Sequence, residues 1–428
     1  GRIPGLKRGE GIGLAGFRSA SRFLTSLQTS IGDSLMIQSY DLYMPVHLVF
    51  GRGRIAELPK LIAGYGKKVL LTYGGGSVKR IGLYDKVKAL LAAEGCTVFE
   101  LSGIEPNPKI ESVRAGVEIC KKEGIDFILA IGGGSTLDCS KAIALGAKYD
   151  GDPWDLVIHR DRVKGHLPVF DVLTLAATGS DYDGGGVITN DATNEKRAVG
   201  VCFPVASILD PEYTFTVPAS QTAAGSADII SHTFEQYFVS EGAMLSDGFC
   251  ESMLRTVMKY APIAIKDPTN FEARGELLAA SSFGCCRLLA VGREAGAWPC
   301  HGIEHELSAW YDITHGVGLA IITPAWMRYC LKNNPAVVAP KFAQYGVNVL
   351  GLNPADGAAV NAEKAIEKTA EFFRSIGITQ TLKDFGIDET HFDEMADHAM
   401  TTWFAGRPPY TFASLGREGI LEILKASL

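Results

Sequence analysis

The sequence predicts an α/β domain followed by an all-α domain. Between residues 47 and 147, apolar strand segments alternate with amphipathic helices, which calls for a parallel sheet with helices on both faces. From Pro218 onward the pattern changes to long helices of apolar period. A length of 428 residues and a hydrophobic content of 46% suit two domains. We place the domains at 36–214 and 215–428, joined through the segment DPEYTFTVP.

Each element of the α/β domain follows from a local pattern. A continuous apolar run that ends in glycines, such as KKVLLTYGGGS (67–77), predicts a buried strand and a turn. An amphipathic run closed by glycine, such as YDKVKALLAAEG (84–95), predicts a helix. The other predictions, in chain order, are a strand at 47–51, a helix over RIAELPKLIAGY, a strand over CTVFEL, a helix at 110–124, a strand, turn and helix at 125–147, and short strands within HLPVFDVLTLAATGS, GGGVITN and VASILDPEY.

Composition excludes several classes of protein. The net charge is −7 and no basic patch is present, so nucleic acid is not an expected partner. Nine cysteines without a paired C-x-x-C motif indicate reduced thiols and a cytoplasmic location. No apolar run reaches the roughly 18 to 20 residues that span a bilayer, so we expect no membrane segment.

Residues 1–35 differ in composition from the rest of the chain. They combine Ser and Gly with several basic residues and few acidic ones. This composition is typical of an organellar transit segment, or of an extension or tag ahead of Met36. We favour the extension and exclude the segment from the fold. Its basic residues are Arg2, Lys7, Arg8, Arg18 and Arg22.

Two windows in the all-α domain carry the spacing of metal ligands. Asp228 and His232 stand four residues apart, so a helix places both on one face. His301 and His305 repeat this spacing, and His315 follows at a helix junction. One such pair is more often structural, but two windows favour ligands on facing helices. One carboxylate with two or three imidazoles suits Fe(II), Zn(II), Co(II) or Mn(II).

A glycine turn between an apolar strand and a helix has the form of a phosphate-binding loop. Backbone N–H groups and the positive end of the helix favour a pyrophosphate there. The alternative is a tight turn that binds nothing, since the turn lacks the G-x-G-x-x-G fingerprint. Its residues are Gly132, Gly133, Gly134 and Ser135.

A second glycine turn follows an earlier strand. In a dinucleotide site, an acidic residue after a strand usually binds the adenosine ribose and repels a 2′-phosphate. Tyr73 occupies that place here, and Lys79 and Arg80 come close behind. The local charge favours NADP(H) over NAD(H), unless both cations are merely solvated. The turn consists of Gly74, Gly75, Gly76 and Ser77.

A third glycine-rich segment, AATGSDYDGGGVITN, offers hydroxyl donors and close backbone approach. Thr178 and Ser180 supply the hydroxyl groups, and Gly184–Gly186 have no side chains. The alternative is a loop with strained turns. Lys196 offers a contact to a cofactor ribose, although an isolated lysine is usually exposed.

Taken in order, these motifs resemble the iron-containing (group III) alcohol dehydrogenases, and within them the NADPH-preferring butanol dehydrogenase and aldehyde reductase branch. The resemblance runs from about Tyr40 to the C-terminus. It implies a dehydroquinate synthase-like fold, with an α/β dinucleotide-binding domain, an all-α domain, the active site in the cleft between them, and a homodimer. The segments that carry it are LLTYGGGSVKRIG, AIGGGSTLDCSKAIA, TLAATGSDYDGGGVITN, ILDPEYTFTVPASQTAAGSADIISHTFEQY and HGIEHELSAWYDITHG.

The resemblance also assigns roles to residues. The family's two later ligand histidines stand fourteen residues apart, as His301 and His315 do. It therefore implies one Fe(II) or Zn(II) held by Asp228, His232, His301 and His315. His305 is then the catalytic, non-ligand histidine near the nicotinamide. The implied cofactor contacts are Gly132–Ser135, Gly74–Ser77, Asp138, Thr178, Ser180 and Lys196.

One loop departs from the family pattern. Where relatives commonly have Glu and Asn, this chain has Asp181 and Asp183, with Tyr182 between them. The second acid adds negative charge beside the cofactor loop. Trp154, Trp298 and Trp310 are candidates for the pocket wall, although aromatic residues often serve only as core.

We predict reversible hydride transfer between NADP(H) and a primary alcohol or its aldehyde. The cofactor supplies the hydride, the metal polarises the substrate oxygen, and the protein supplies alignment. The alternatives are a glycerol dehydrogenase-like polyol oxidoreductase, a dehydroquinate synthase-like lyase, and a non-catalytic protein that kept the fold.

Overall fold

The computed structural model describes residues 37–240, 242–293, 296–405 and 412–428. The extension predicted at residues 1–35 lies outside the described residues. Gln38–Leu428 form one compact unit. Within the described ranges, no helix is long and apolar enough to cross a bilayer.

A parallel sheet forms the centre of the N-terminal domain, with strand order β1-β8-β5-β4-β2-β3. Every residue of β4 and β5 is buried, which explains the continuous apolar runs in the sequence. The predicted parallel sheet is confirmed. Its strands are β1 (His47–Phe50), β2 (Lys68–Tyr73), β3 (Thr97–Leu101), β4 (Phe127–Gly132), β5 (Val169–Leu173) and β8 (Ala206–Leu209), and the separate hairpin consists of β6 (Val187–Asn190) and β7 (Glu195–Ala198).

Helices cover both faces of this sheet. They are α1 (Leu58–Ile62), α2 (Ser77–Arg80), α3 (Leu83–Ala93), α4 (Ile110–Glu123), α5 (Gly134–Gly146) and α6 (Pro153–Ile158). Because side chains alternate along a strand, Leu70 and Ile128 pack with α4 and α5 on one face. Val69 and Leu129 pack with α1 and α3 on the other. Strands β2 and β4 are parallel neighbours, so the glycine turns that follow their carboxyl ends lie at the same end of the sheet.

One prediction for the N-terminal domain was wrong, and one strand was missed. The single helix expected over RIAELPKLIAGY is a 3₁₀ turn, Arg54–Glu57, followed by α1, because Pro59 suits only the first turn of a new helix. Strand β7 was not predicted, since its sequence EKRA is short and polar. Antiparallel pairing with β6 forms it.

The C-terminal domain is a helical bundle around one apolar core. Its central helix, α7, is buried from Thr222 to Tyr237, with other helices of the bundle and the segment at Ala176 of the N-terminal domain packed against it. This confirms the predicted change from α/β to all-α structure. The helices are α7 (Ala219–Tyr237), α8 (Met244–Lys266), α9 (Phe271–Gly284), α10 (Pro299–Tyr311), α11 (His315–Asn333), α12 (Pro335–Asn348), α13 (Ala358–Ser375), α14 (Phe392–Thr402) and α15 (Arg417–Ala426).

Candidate active site

Four side chains from three helices meet around one carboxylate oxygen. Asp228 and His232 lie one turn apart on α7, His301 lies near the start of α10, and His315 is the first residue of α11. Asp228 Oδ1 lies 3.5 Å from His232 Nε2, 3.8 Å from His301 Nε2 and 3.6 Å from His315 Nε2. The structure thus brings together the four residues that the resemblance assigned to the metal.

The atoms at the centre of this group fit a metal ion. Asp228 Oδ1 and His301 Nε2 are buried and have no hydrogen-bond partner among the described residues. Leaving such atoms unpaired costs free energy, which coordination of a cation offsets. Ligands 2.0 to 2.2 Å from a tetrahedral metal stand roughly 3.5 Å apart, as these atoms do.

Two buried glutamates orient the imidazoles. Glu235 Oε2 contacts His301 Nδ1, and Glu304 Oε2 contacts His315 Nδ1. A carboxylate accepts a hydrogen bond, so each Nδ1 carries the proton and each Nε2 turns its lone pair toward Asp228. Glu235 Oε1 also accepts from the backbone N–H of Cys300, which fixes the start of α10 against α7. Sequence reasoning missed both glutamates, although each lies three residues after a proposed ligand.

The electrostatics of the pocket also favour a cation. Burial raises the pKa of Asp228 to about 7 and lowers the pKa of His232 and of His315 well below the ordinary value. At these three residues the protein alone therefore disfavours the carboxylate anion and the imidazolium. At His301 burial lowers the pKa but the Glu235 carboxylate outweighs it, so the pKa lies above the ordinary value. A divalent cation stabilises the carboxylate and binds neutral imidazoles, so it suits this pocket.

His305 lies one turn after His301 but outside the group around Asp228 Oδ1. Its ring centroid is 6.1 Å from that of His301 and 4.7 Å from that of Trp403. Its Nδ1 is buried and has no hydrogen-bond partner in the described part of the chain. Burial lowers the pKa of His305 well below the ordinary value, so the imidazole is neutral.

A cavity of about 780 Å³ joins this group to the N-terminal domain. The proposed cofactor contacts that line it are Ser135, Asp138, Thr178, Ser180 and Lys196, and the histidines that line it are His232, His301, His305 and His315. The cavity lies beyond the carboxyl ends of the strands, which is where open α/β sheets bind ligands. It lies in the cleft between the two domains.

The cavity wall corrects the expectation for the tryptophans. Trp298 lines the cavity, with its ring centroid 5.1 Å from that of His301. Trp154 packs in the core of the N-terminal domain and Trp310 stacks on His391, so neither lines this cavity. Trp403 lines it instead, and its position beside His305 depends on tertiary packing.

The turn at 132–135 joins β4 directly to α5. Gly132 ends β4, Gly133 precedes α5 and Gly134 begins it. A Cβ at Gly134 would collide with Thr178, so glycine lets the third glycine-rich segment pack against the turn. Ser135 lines the cavity, and these three glycines are not among the residues that line it.

Asp138 ties the third glycine-rich segment to α5. Its Oδ1 accepts a hydrogen bond from Ser180 Oγ (2.6 Å), and its Oδ2 accepts one from the Val187 backbone N–H (2.9 Å). Burial raises the pKa of Asp138 to about 6. Asp138 therefore shapes the cavity wall in addition to lining it.

The turn at 74–77 lies between β2 and α2, outside the residues that line the cavity. The Lys79 ammonium lies over the rings of Tyr73 and Tyr84, 5.1 and 4.6 Å from their centroids. Arg80 lies against Gly76. Two cations thus flank this turn.

The two acids that depart from the family pattern have protein partners. Asp183 Oδ1 lies 3.0 Å from the buried Nζ of Lys141, so its charge is balanced. Asp181 is fully buried and accepts a hydrogen bond from Ser282 Oγ on α9. Of these two acids, only Asp183 lines the cavity. The added negative charge that we expected beside the cofactor loop is therefore neutralised.

Comparison with known proteins defines the class. Residues 45–211 match the family described as iron-containing alcohol dehydrogenase, and residues 222–428 match the C-terminal domain of the Fe-containing alcohol dehydrogenase family. The chain belongs to the iron-containing alcohol dehydrogenase family. It is an oxidoreductase that acts on alcohols, and the family binds a metal and a nicotinamide cofactor.

Individual relatives cover nearly the whole chain. It is 47% identical over 392 residues to NADH-dependent butanol dehydrogenase A of Clostridium acetobutylicum. This alignment covers 91% of this chain and 99% of that protein. It is 35% identical to the NADPH-dependent aldehyde reductase YqhD of Escherichia coli, over 85% of this chain and 95% of that protein. The crystal structure of NADH-dependent butanol dehydrogenase A of Thermotoga maritima matches with a TM-score of 0.86 and 39% identity, over 91% of this chain and 99% of that one.

Proposed function

We propose that this protein interconverts a primary alcohol and its aldehyde by hydride transfer with NADP(H), with one Fe(II) or Zn(II) held by Asp228, His232, His301 and His315. The observation that carries the proposal is the unpaired Asp228 Oδ1, 3.5 to 3.8 Å from three imidazole nitrogens beside a cavity shared with the α/β domain. When bound there, the metal supplies Lewis acidity to the substrate oxygen.

The protein's own residues bind, orient and move a proton. Ser135 and the N-terminus of α5 bind the pyrophosphate. In the reducing direction the carbonyl carbon gains a hydride and the carbonyl oxygen gains a proton. His305 lines the cavity one turn from His301, and we assign it to the relay of that proton. One ring nitrogen gives its proton to the oxygen while the other takes a proton from water, so the imidazole stays neutral. Trp298 and Trp403 exclude water from the same end of the cavity.

The NADP(H) preference rests on charge at the turn 74–77. Lys79 and Arg80 flank this turn, where an acidic residue would disfavour a 2′-phosphate. Relatives that are 43% to 47% identical are named NADH-dependent, and the NADPH-dependent aldehyde reductase is 35% identical, so the names of the relatives do not carry this preference and the charge must be tested directly. Replacing both cations by Ala should raise KM for NADPH about tenfold or more, as expected for the loss of a charge-assisted hydrogen bond, and leave KM for NADH unchanged.

The assay that tests the proposal is aldehyde-dependent oxidation of NADPH by protein purified without oxygen and loaded with Fe(II) or Zn(II). A panel of straight-chain aldehydes and diols, run with NADH and with NADPH, separates an aldehyde reductase from a polyol oxidoreductase. A lyase of the same fold would give no net consumption of NADPH. Absence of oxidation with every metal and aldehyde would overturn the proposal.

We also propose a cytoplasmic location and a homodimer. All nine cysteines are free, in keeping with a reducing compartment. Strand β1 lies at one edge of the six-stranded sheet, and an edge is able to pair with a second copy. Light scattering of the purified protein measures the mass, and a monomer at micromolar concentration would contradict the dimer.

A further inference from the structure

Lys196 is a buried cation that reaches from the N-terminal domain to the proposed metal site. It lies on β7 and is only 8% exposed. Its Nζ lies 3.0 Å from Asn107 Oδ1, 3.5 Å from Glu304 Oε2 and 3.3 Å from His315 Nδ1. A buried ammonium is costly unless its hydrogen bonds and its charge are matched, so these partners define its role.

The hydrogen-bond roles in this group follow from the available protons. Lysine only donates, and Glu304 Oε2 accepts, so Lys196 and His315 Nδ1 both donate to the same oxygen. Lys196 Nζ and His315 Nδ1 therefore lie close together because both donate to the same oxygen, and there is no hydrogen bond between them. Glu304 Oε1 is occupied by Ser308 Oγ. Lys196 thus neutralises the carboxylate that sets the orientation of His315.

Asn107 fixes the loop that leads into His315. Its Oδ1 accepts from Lys196, and its Nδ2 donates to Asp312 Oδ1 (2.9 Å) and to the Ile313 carbonyl (3.4 Å). Asn107 and Asp312 both have left-handed backbones, with φ of 50° and 52°. Such conformations cost energy in residues other than glycine and persist where surrounding contacts hold them.

We propose that Lys196 and Asn107 are positioning residues for the metal ligand His315. They belong to the N-terminal domain, whereas Glu304 and His315 belong to the C-terminal domain. Metal affinity therefore depends on contact between the two domains, and not only on the four ligands. The proposal rests on the proposed function, because it takes His315 as a ligand.

Lys196 also gives the metal and the cofactor a shared contact. Two of its three N–H groups go to Asn107 and Glu304, and the residue lines the cavity. The remaining N–H is left for a group bound in the cavity. By linkage, any change that a cofactor on this N–H makes in metal affinity is matched by the same factor in the effect of the metal on cofactor affinity.

The test measures binding of Co(II) alone, without substrate, in the full chain. The variant Lys196→Met keeps the length of the side chain and removes the ammonium. We expect Co(II) affinity, measured by chelator competition, to fall about 10- to 100-fold, as for other partners of metal-bound histidines. The visible absorption of bound Co(II) should change, because His315 is no longer held, and Lys196→Arg should restore part of the affinity.

Lys109→Met is the matched control. Lys109 Nζ lies 3.7 Å from Asp312 Oδ1, in the same loop, and it has no contact with Glu304 or His315 among the described residues. Its removal deletes one positive charge beside the loop that leads into His315, at a side chain that contacts Asp312 and Asp191 instead of Glu304. We expect Co(II) affinity within about twofold of the parent protein, as for a partly exposed ion pair.

Each outcome decides the proposal. If Lys196→Met binds Co(II) as tightly as the parent, with the same spectrum, the positioning role is wrong and the proposed function stands. If the parent protein itself binds no Co(II), the metal site and this proposal are both wrong. If Lys196→Met does not fold, as judged by circular dichroism, Asn107→Ala decides. We expect this second variant to lose Co(II) affinity as well, by a smaller factor.

Discussion

Two clusters of buried charge lie in the helical domain, and they differ in whether their polar atoms find partners. In the first, the unpaired oxygen of Asp228 faces three imidazoles. In the second, Asp247 accepts from Arg293 (2.6 Å) and from Lys341 (2.6 Å). The hydrogen bonds of the second cluster are complete within the described residues, and those of the first are not.

Charge gives the same contrast. In the second cluster, Asp247 binds both Arg293 and Lys341, and Glu251 accepts hydrogen bonds from neutral groups, so two carboxylates and two cations sum to zero. Around Asp228, the carboxylates of Asp228, Glu235 and Glu304 meet one cation, Lys196, while ligand imidazoles are neutral. A divalent cation balances the remaining charge. A buried cluster in which a polar atom has no hydrogen-bond partner and the charges do not cancel is thus a binding site. A cluster in which both requirements are met is structural.

The largest effect is expected from Asp228→Asn, which keeps the shape and removes the charge. The variant should lose bound metal, and kcat should fall about 10³-fold or more, since the Lewis acid contributes several kcal/mol. Metal per subunit after dialysis and turnover with aldehyde and NADPH measure both. A variant that retains one metal per subunit would contradict the ligand role of Asp228.

Asp247→Asn is the same substitution in the complete cluster. It leaves Arg293 and Lys341 buried without a carboxylate, so the free energy of unfolding should fall by about 3–5 kcal/mol. Metal content per folded subunit should not change. Urea unfolding with metal analysis tests this, and a loss of metal without loss of stability would erase the contrast between the two clusters.

The difference between the clusters also explains what the sequence was able to predict. Asp228 and His232 are visible as helical spacing, because they lie one turn apart on α7. The same spacing pairs His301 with His305, which lies outside the group around Asp228 Oδ1, and only the family resemblance separated these two histidines. Asn107 acts through a contact with Lys196, 89 residues away, so no local pattern predicts its role. Glu304 lies three residues after His301, but its contact with His315 depends on how α10 packs against α11. Strands such as β4 were predicted from a run of apolar residues, whereas β7 depends on its partner strand.

His305→Ala separates cavity residues from ligands. His305 lies beside the proposed ligands without contacting Asp228 Oδ1, so the variant should retain bound metal. We expect kcat to fall about 100-fold, at the low end for loss of a general acid or base. Turnover and metal content of the same preparation test this, and loss of metal in the variant would place His305 among the ligands.

The smallest expected effect concerns Asp181, and it tests whether a buried oxygen without a hydrogen-bond partner is enough to make a metal site. Asp181 Oδ1 is buried without a partner among the described residues, yet the candidate metal groups found there do not include it. Burial raises its pKa to about 6 from an ordinary value of 3.8. Between these two pH values the folded protein therefore holds a proton on Asp181 that the unfolded chain has released. Its contribution to stability is present in full below pH 3.8 and is lost as pH rises through 6.

Between pH 5 and pH 7 this loss amounts to about 1 kcal/mol. Asp181→Asn carries no proton to release, so it should flatten the pH dependence of the unfolding free energy by that amount and leave metal content unchanged. Urea unfolding at both pH values measures the difference between variant and parent. An unchanged slope would mean that Asp181 is ionised in the folded protein. A protonated Asp181 instead implies that an unpaired buried oxygen becomes a metal ligand only where other donors converge on it.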